Sequence, residues 1–190
     1  MEKGNLIVIS GISGAGKSTI YKAMVKKYDN YVVSISKTTR APRDYEVDGV
    51  DYFFCSRDQF EKDIENGEFL EHATYCDNLY GTPVSYAIEQ MNKGKDVILE
   101  IEVKGALQVK SKFPETIMVF VAAPSIEETV RRLSDRGTES EEVIQARIKR
   151  GYEELEQRVF YDIVVINGEV DACIDRLHKY IQERNYIKEM

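Results

Sequence analysis

Tryptophan is absent from this 190-residue chain, and histidine, cysteine and proline are scarce, at two, three and four residues. Each scarcity argues against a class of chemistry. His72 and His178 stand far apart, without a metal-ligating partner at a useful spacing, and both read as structural. Neither begins a recognisable nucleophile–base arrangement. Cys55, Cys76 and Cys173 are odd in number and widely spaced, which fits reduced thiols rather than a disulfide or zinc framework. Long hydrophobic runs are missing too, since Ile117 to Ala123 is far too short to span a bilayer. Basic residues are outnumbered, 26 against 33, for a net charge of −7. That balance argues against a general binder of nucleic-acid backbones, so neither nucleic acid nor membrane is expected as a partner. The first residues show no signal-peptide pattern, and a cytoplasmic location is expected. The length suits one domain with a sizeable core.

What is present is a phosphate-binding signature. Gly11-Ile12-Ser13-Gly14-Ala15-Gly16-Lys17-Ser18 fits G-x-x-x-x-G-K-[ST] without a gap. Leu6 to Ile9 before it reads as a buried strand. Thr19 to Val25 after it reads as a helix, with Ile20, Met24 and Val25 on the apolar face. This context lets successive backbone N–H groups converge on an anion at a helix N-terminus. Lys17 can reach the β- and γ-phosphates of a nucleotide, and Ser18 can ligate Mg²⁺.

Along the chain, apolar strands alternate with helices. Strands are expected at 31–36, 50–55, 68–75, 97–101, 117–122 and 162–166. Helices are expected from the Ser56 capping box to Ile64, from Thr82-Pro83 to near Gly94, at 105–112, and from the Ser125 capping box to Arg136-Gly137. Two more run from Thr138 to about Arg158 and from Val170 to about Ile187. The pattern predicts an α/β fold, a parallel sheet with helices on both faces. From about Ser36 to Asn92 the rhythm breaks, which predicts an inserted α+β subdomain. Within it, Lys37 to Asp48 reads as a loop.

That loop carries Arg40 and Arg43, three apart and able to converge on one anion, with Tyr52 as a neutral donor nearby. Read alone, the same arginines are equally solvated loop charges. Glu100 and Glu102 are two apart at the carboxyl end of a buried strand, where open α/β sheets place ligands. They share a face if the strand continues that far.

Five segments in one order resemble the guanylate kinase family. They are Gly11–Ser18, Ser36–Tyr52, Gly67-Glu68-Phe69-Leu70-Glu71, Tyr80-Gly81-Thr82-Pro83 and Arg136-Gly137-Thr138. The resemblance implies transfer of the γ-phosphate of ATP to GMP, with Mg²⁺ as cofactor and dGMP as a further expected acceptor. It places GMP-phosphate contacts on Arg40, Arg43, Tyr52 and Tyr80, and guanine contacts on Ser36, Glu71, Thr82 and Glu102. ATP contacts fall on the phosphate loop from Gly11 to Ser18, on Thr19 and on Asn167. The resemblance puts Lys17, Arg132, Arg136 and Arg147 over the transferring phosphate when a lid closes, and Ser18 and Glu100 at the metal. It implies a core of about 1–35, 93–124 and 159–190, a GMP-binding insertion of about 36–92 and a lid of about 125–158. Arg131 and Arg150 are expected to be solvated. The chain departs from the family in having Glu where one or both of positions 100 and 102 often carry Asp. It has Lys104 in place of a usual Gln, and Gly168 in place of a usual acid. Scaffold domains that resemble the family but bind phosphopeptides typically have a degraded phosphate loop, whereas this loop is intact.

Overall fold

The computed structural model describes residues 3–75, 77–134 and 141–189. Five parallel strands form the central sheet. They are β1 (Leu6–Gly11), β2 (Tyr31–Val33), β7 (Asp96–Glu100), β8 (Ile117–Ala122) and β9 (Ile163–Ile166), in the order β2-β7-β1-β8-β9. β1 and β8 are buried along their whole length, as continuous apolar runs covered on both faces require. Alternation sorts the side chains. Ile7 and Ile9 join a core cluster with Ile20 and Met24 of α1 (Lys17–Lys27) and Ile174, Leu177 and Ile181 of α7 (Val170–Glu189). Leu6 and Val8 point the other way. They pack with Ala87 and Met91 of α3 (Val84–Asn92) and Ala106 and Val109 of α4 (Val103–Lys112).

A second sheet lies outside this core. Its strands are β3 (Lys37–Thr38), β4 (Phe53–Phe54), β5 (Phe69–Tyr75) and β6 (Asn78–Pro83), ordered β4-β3-β6-β5. α2 (Arg57–Glu65) packs on it through a small cluster of Phe60, Phe69 and Leu79. Its expected cap forms, with Ser56 Oγ accepting from the Gln59 N–H at 3.2 Å. The chain continues through α5 (Ile126–Ser134), capped by Ser125, and α6 (Glu141–Glu156), followed by a 3₁₀ turn at Gln157–Phe160.

Several expected elements differ. The strand expected at 31–36 stops at Val33. Ser34 N–H makes one more bond, to Ile98 O at 2.8 Å, and the chain then leaves for the second sheet. The expected loop at 37–48 therefore begins with the short strand β3. The strand expected at 50–55 is reduced to Phe53–Phe54. β6 is an additional strand, and it claims Thr82, so Pro83 rather than Thr82 is the N-cap of α3. β7 ends at Glu100, so Glu100 and Glu102 do not share a strand face. Glu102 is instead the N-cap of α4, at φ −68° and ψ 158°.

Candidate active site

The phosphate loop joins β1 to α1. Gly14 and Gly16 hold positive φ, 83° and 84°, in the left-handed region where a Cβ is strained. Gly16 is also pressed against Asn167, whose Nδ2 would lie 2.3 Å from a Cβ there. Lys17 Nζ donates to the Gly11 carbonyl at 2.9 Å and the Ile12 carbonyl at 3.3 Å, so its ammonium is held over the loop by the loop itself. Ser18 follows in the first turn of α1, with Thr19 exposed beside it.

Asn167, at the end of β9, is buried. Its Nδ2 donates to Ala15 O at 2.8 Å, while its Oδ1 has no hydrogen-bond partner among the described residues. Arg132 of α5 reaches the same place, with Nη1 at 3.4 Å from Ala15 O and Nη2 at 3.1 Å from Asn167 O. Its Nε donates to Glu128 at 2.7 Å, and Arg131 binds that carboxylate too, holding its pKa down to about 2. Arg131 is otherwise exposed, as expected. Arg136 lies outside the described residues, as do Gly137 and Thr138. Arg147 belongs to α6, and its side chain is outside the description.

Next to the loop, the parallel pairing of β1 and β7 sets Ile9 opposite Glu100. Glu100 is exposed at the strand end, though the packing around its carboxyl raises its pKa by desolvation. Lys17 and the Tyr21 hydroxyl act in the opposite direction. Burial and Glu100 together push the Tyr21 hydroxyl up to about 12. Glu102 instead meets Glu154 of α6. Burial first, and Glu102 second, raise the Glu154 carboxyl to about 7. Arg150 lies 3.6 Å from Glu154 and so is paired, though largely exposed.

Most of the residues expected at the acceptor sit on or beside the second sheet. Arg40 Nη2 donates to both oxygens of Glu46 at 2.7 and 2.9 Å, and the Arg43 N–H donates to the same carboxylate at 2.8 Å. The Arg43 guanidinium stands 3.6 Å from it and is mostly exposed. The two arginines thus do converge on an anion, and here that anion is Glu46. The Arg40 guanidinium lies 5.4 Å from the Tyr52 ring centroid, and Tyr80 meets Tyr52 edge-on at 6.1 Å. Tyr52 also senses Glu100, which faces it from the central sheet. Ser36 lies between β2 and β3, where its carbonyl accepts from the Phe53 N–H at 2.9 Å.

Glu71 is the most confined carboxylate of this half, at 6% exposure. β5 and β6 pair it with Thr82, whose Oγ1 donates to Glu71 Oε1 at 2.7 Å. Burial raises its pKa, and the Thr82 bonds and Lys112 oppose that rise. Four further participants escape the sequence. Glu46 stands inside a recognisable segment and could have been found from its spacing to Arg40 and Arg43. Tyr21, Glu128 and Glu154 carry no local signal, because tertiary packing alone brings them to the site.

Both histidines rest against aromatic neighbours. His178 stacks on Tyr28 at 3.9 Å and bonds Tyr31, while His72 lies near Phe69 at 6.4 Å. Cys55 and Cys173 are free thiols, and Cys76 is outside the described residues.

Comparison with known proteins bears on the whole chain. The family model described as guanylate kinase matches residues 3–184. A guanylate kinase of Halalkalibacterium halodurans is 52% identical over 93% of this chain and 86% of its own. One from Caldanaerobacter subterraneus is 49% identical over 95% and 87%. A crystal structure of guanylate kinase from Anaplasma phagocytophilum is 29% identical, with a TM-score of 0.74 over 96% of this chain and 87% of that one.

Proposed function

Because the chain belongs to the guanylate kinase family, we infer that it transfers the γ-phosphate of ATP to GMP, giving ADP and GDP. One observation carries the reading. An intact phosphate loop with a poised lysine occurs in one chain with a buried carboxylate, Glu71, whose Oε1 is held by the Thr82 hydroxyl. Guanine offers N–H donors on its Watson–Crick edge, where adenine has an acceptor at N1. A buried acceptor therefore favours guanine and opposes adenine.

The acceptor phosphate of GMP is ionised at neutral pH and needs no general base. Catalysis is then positioning and charge neutralisation. Arg40, Arg43, Tyr52 and Tyr80 would hold that phosphate, with Glu46 keeping the Arg40 fork oriented until it arrives. Ser36, Glu71, Thr82 and Glu102 would face the base. The loop N–H groups from Gly11 to Thr19 and Lys17 would bind the donor phosphates, Lys17 exchanging its carbonyl partners for phosphate oxygens. Asn167 Oδ1, buried and unpartnered, fits an adenine amino group. Arg132, Arg136 and Arg147 would act from a lid at about 125–158, excluding water as it closes. The second sheet with α2 would be the GMP-binding insertion. α3, within the span assigned to it from sequence, packs on the core sheet.

Ser18 and Glu100 supply hard oxygen ligands beside Lys17, and Mg²⁺ fits such a set because it takes one or two protein oxygens together with substrate phosphates. Bound there with ATP, it would neutralise charge on the phosphate oxygens. No helix among the described residues is long and apolar enough to cross a membrane. The free thiols at Cys55 and Cys173, and nucleotide substrates, support a cytoplasmic setting.

A coupled assay of ADP release with GMP, dGMP, AMP, CMP and UMP tests the reading. GMP should exceed AMP by roughly 10⁴-fold in kcat/KM. Equal use of AMP would overturn it.

A further inference from the structure

Gly105 is the third residue of α4 and is buried. A glycine there is not demanded by the backbone, since its φ is not among the positive values of this chain. Alanine ordinarily favours a helix over glycine at such a place. Space explains it instead. A Cβ on Gly105 would lie 2.8 Å from Glu71 Oε2 and 3.3 Å from both Cδ and Cγ of the same side chain. No other atoms crowd that position within 4 Å closely enough to rank ahead of them.

The position of Glu71 leaves it little freedom to retreat. Its Oε1 is committed to the Thr82 hydroxyl at 2.7 Å, it is 94% removed from solvent by its 6% exposure, and its backbone is fixed by pairing with β6. Oε2 is the oxygen turned toward α4, and it lies nearest to the Cβ position of Gly105. A contact below 3.0 Å forces a shift, and here the far end of a side chain is what must move.

We propose that Gly105 is a specificity-determining positioning residue, whose missing side chain leaves the room that lets Glu71 present Oε2 to the guanine edge of the acceptor. The proposal rests on the reading of Glu71 as the guanine-binding carboxylate. Gly105 need touch no substrate. A methyl group there would rotate the carboxylate away from Thr82 or away from the base, and either movement unpairs a buried polar group.

The experiment compares the parent enzyme with Gly105→Ala and Glu71→Gln. Each is measured for kcat/KM with GMP and with AMP, for the KM of ATP, and for thermal stability. Gly105→Ala should melt close to the parental temperature, the gain in helix propensity offsetting the strain at Glu71, and keep the parental KM for ATP. Its kcat/KM for GMP should fall roughly ten- to a hundredfold, the loss expected when one buried hydrogen bond is misaligned. AMP should be little affected, so the GMP-to-AMP ratio narrows in the same sense as in Glu71→Gln. A helix-packing defect alone would lower stability and both acceptors together, and that outcome overturns the proposal. A parental ratio in Gly105→Ala beside a collapsed ratio in Glu71→Gln overturns it too, while leaving Glu71 as the reader. A parental ratio in both variants removes Glu71 from guanine recognition, and the role of Gly105 with it.

Discussion

Among the described residues, Lys17 and Arg40 are already partnered within the protein, and each partner foretells what a substitution does. Lys17 is satisfied by the Gly11 and Ile12 carbonyls. Lys17→Met should therefore leave melting close to parental while GDP formation is lost, because the charge it brings to the transferring phosphoryl group has no substitute. Near-parental turnover would contradict that role. Arg40, proposed to hold the acceptor phosphate, is held by Glu46. Arg40→Ala should lower kcat/KM for GMP and AMP by the same factor, about ten- to a hundredfold, since both carry the phosphate. A selective loss of GMP would place Arg40 at the base instead. At this scale much was legible. The phosphate loop and the Arg40–Tyr52 segment announce their residue types by spacing. The confinement of Glu71 by Gly105 was not, because those residues meet only when β5 lies along α4.

Elements were readable where local chemistry decides them. Ser56 and Ser125 cap their helices through the N–H three residues on, as their sequences predict. β6 escaped because Asn78 to Pro83 contains a glycine and a proline, and only its partners β3 and β5 make it a strand. The end of β7 escaped for a related reason: Glu102 alternates correctly with Glu100, but α4 begins immediately after it. That change puts Glu102 against Glu154 on α6. Glu154 is raised to about 7 in the fold, above its ordinary value of 4.5. A raised carboxyl favours the fold fully below its unfolded pKa, and that contribution fades as pH climbs through about 7. Glu102, Lys17, Arg150 and Tyr161 all interact with the group. Glu154→Gln should then gain on the parent in thermal stability between pH 5 and pH 8, by about 1–3 kcal/mol at the upper end. Parallel melting curves at the two pH values would show that Glu154 is not buried as a carboxyl.

For the whole molecule, the order β2-β7-β1-β8-β9 brings the phosphate loop, Glu100 and Asn167 to one edge, although they are far apart in sequence. Alternating strands and helices predicted the class of that sheet, while the pairings that set its order are long-range. Arg132 joins α5, part of the proposed lid, to this edge through Ala15 and Asn167. Arg132→Ala should cost on the order of 2–4 kcal/mol of transition-state stabilisation, with kcat reduced and the KM for GMP nearly unchanged. Steady-state kinetics with GMP varied would decide, and a change confined to KM would exclude a role after closure.

Lys37 and Gly81 are neighbours across β3 and β6. The chain thus departs from the core and rejoins it through one doorway, a strand spacing wide. Whatever lies between those residues can lengthen or shorten at a closure cost that grows only slowly with length. One contiguous stretch accordingly carries Arg40, Arg43, Tyr52, Glu71 and Tyr80, which are proposed to read the acceptor, while the phosphate loop lies outside it. Recombination across that doorway would hand a lineage a new acceptor without rebuilding its phosphate loop, provided the incoming sheet again sets its side chain against the bare backbone of Gly105.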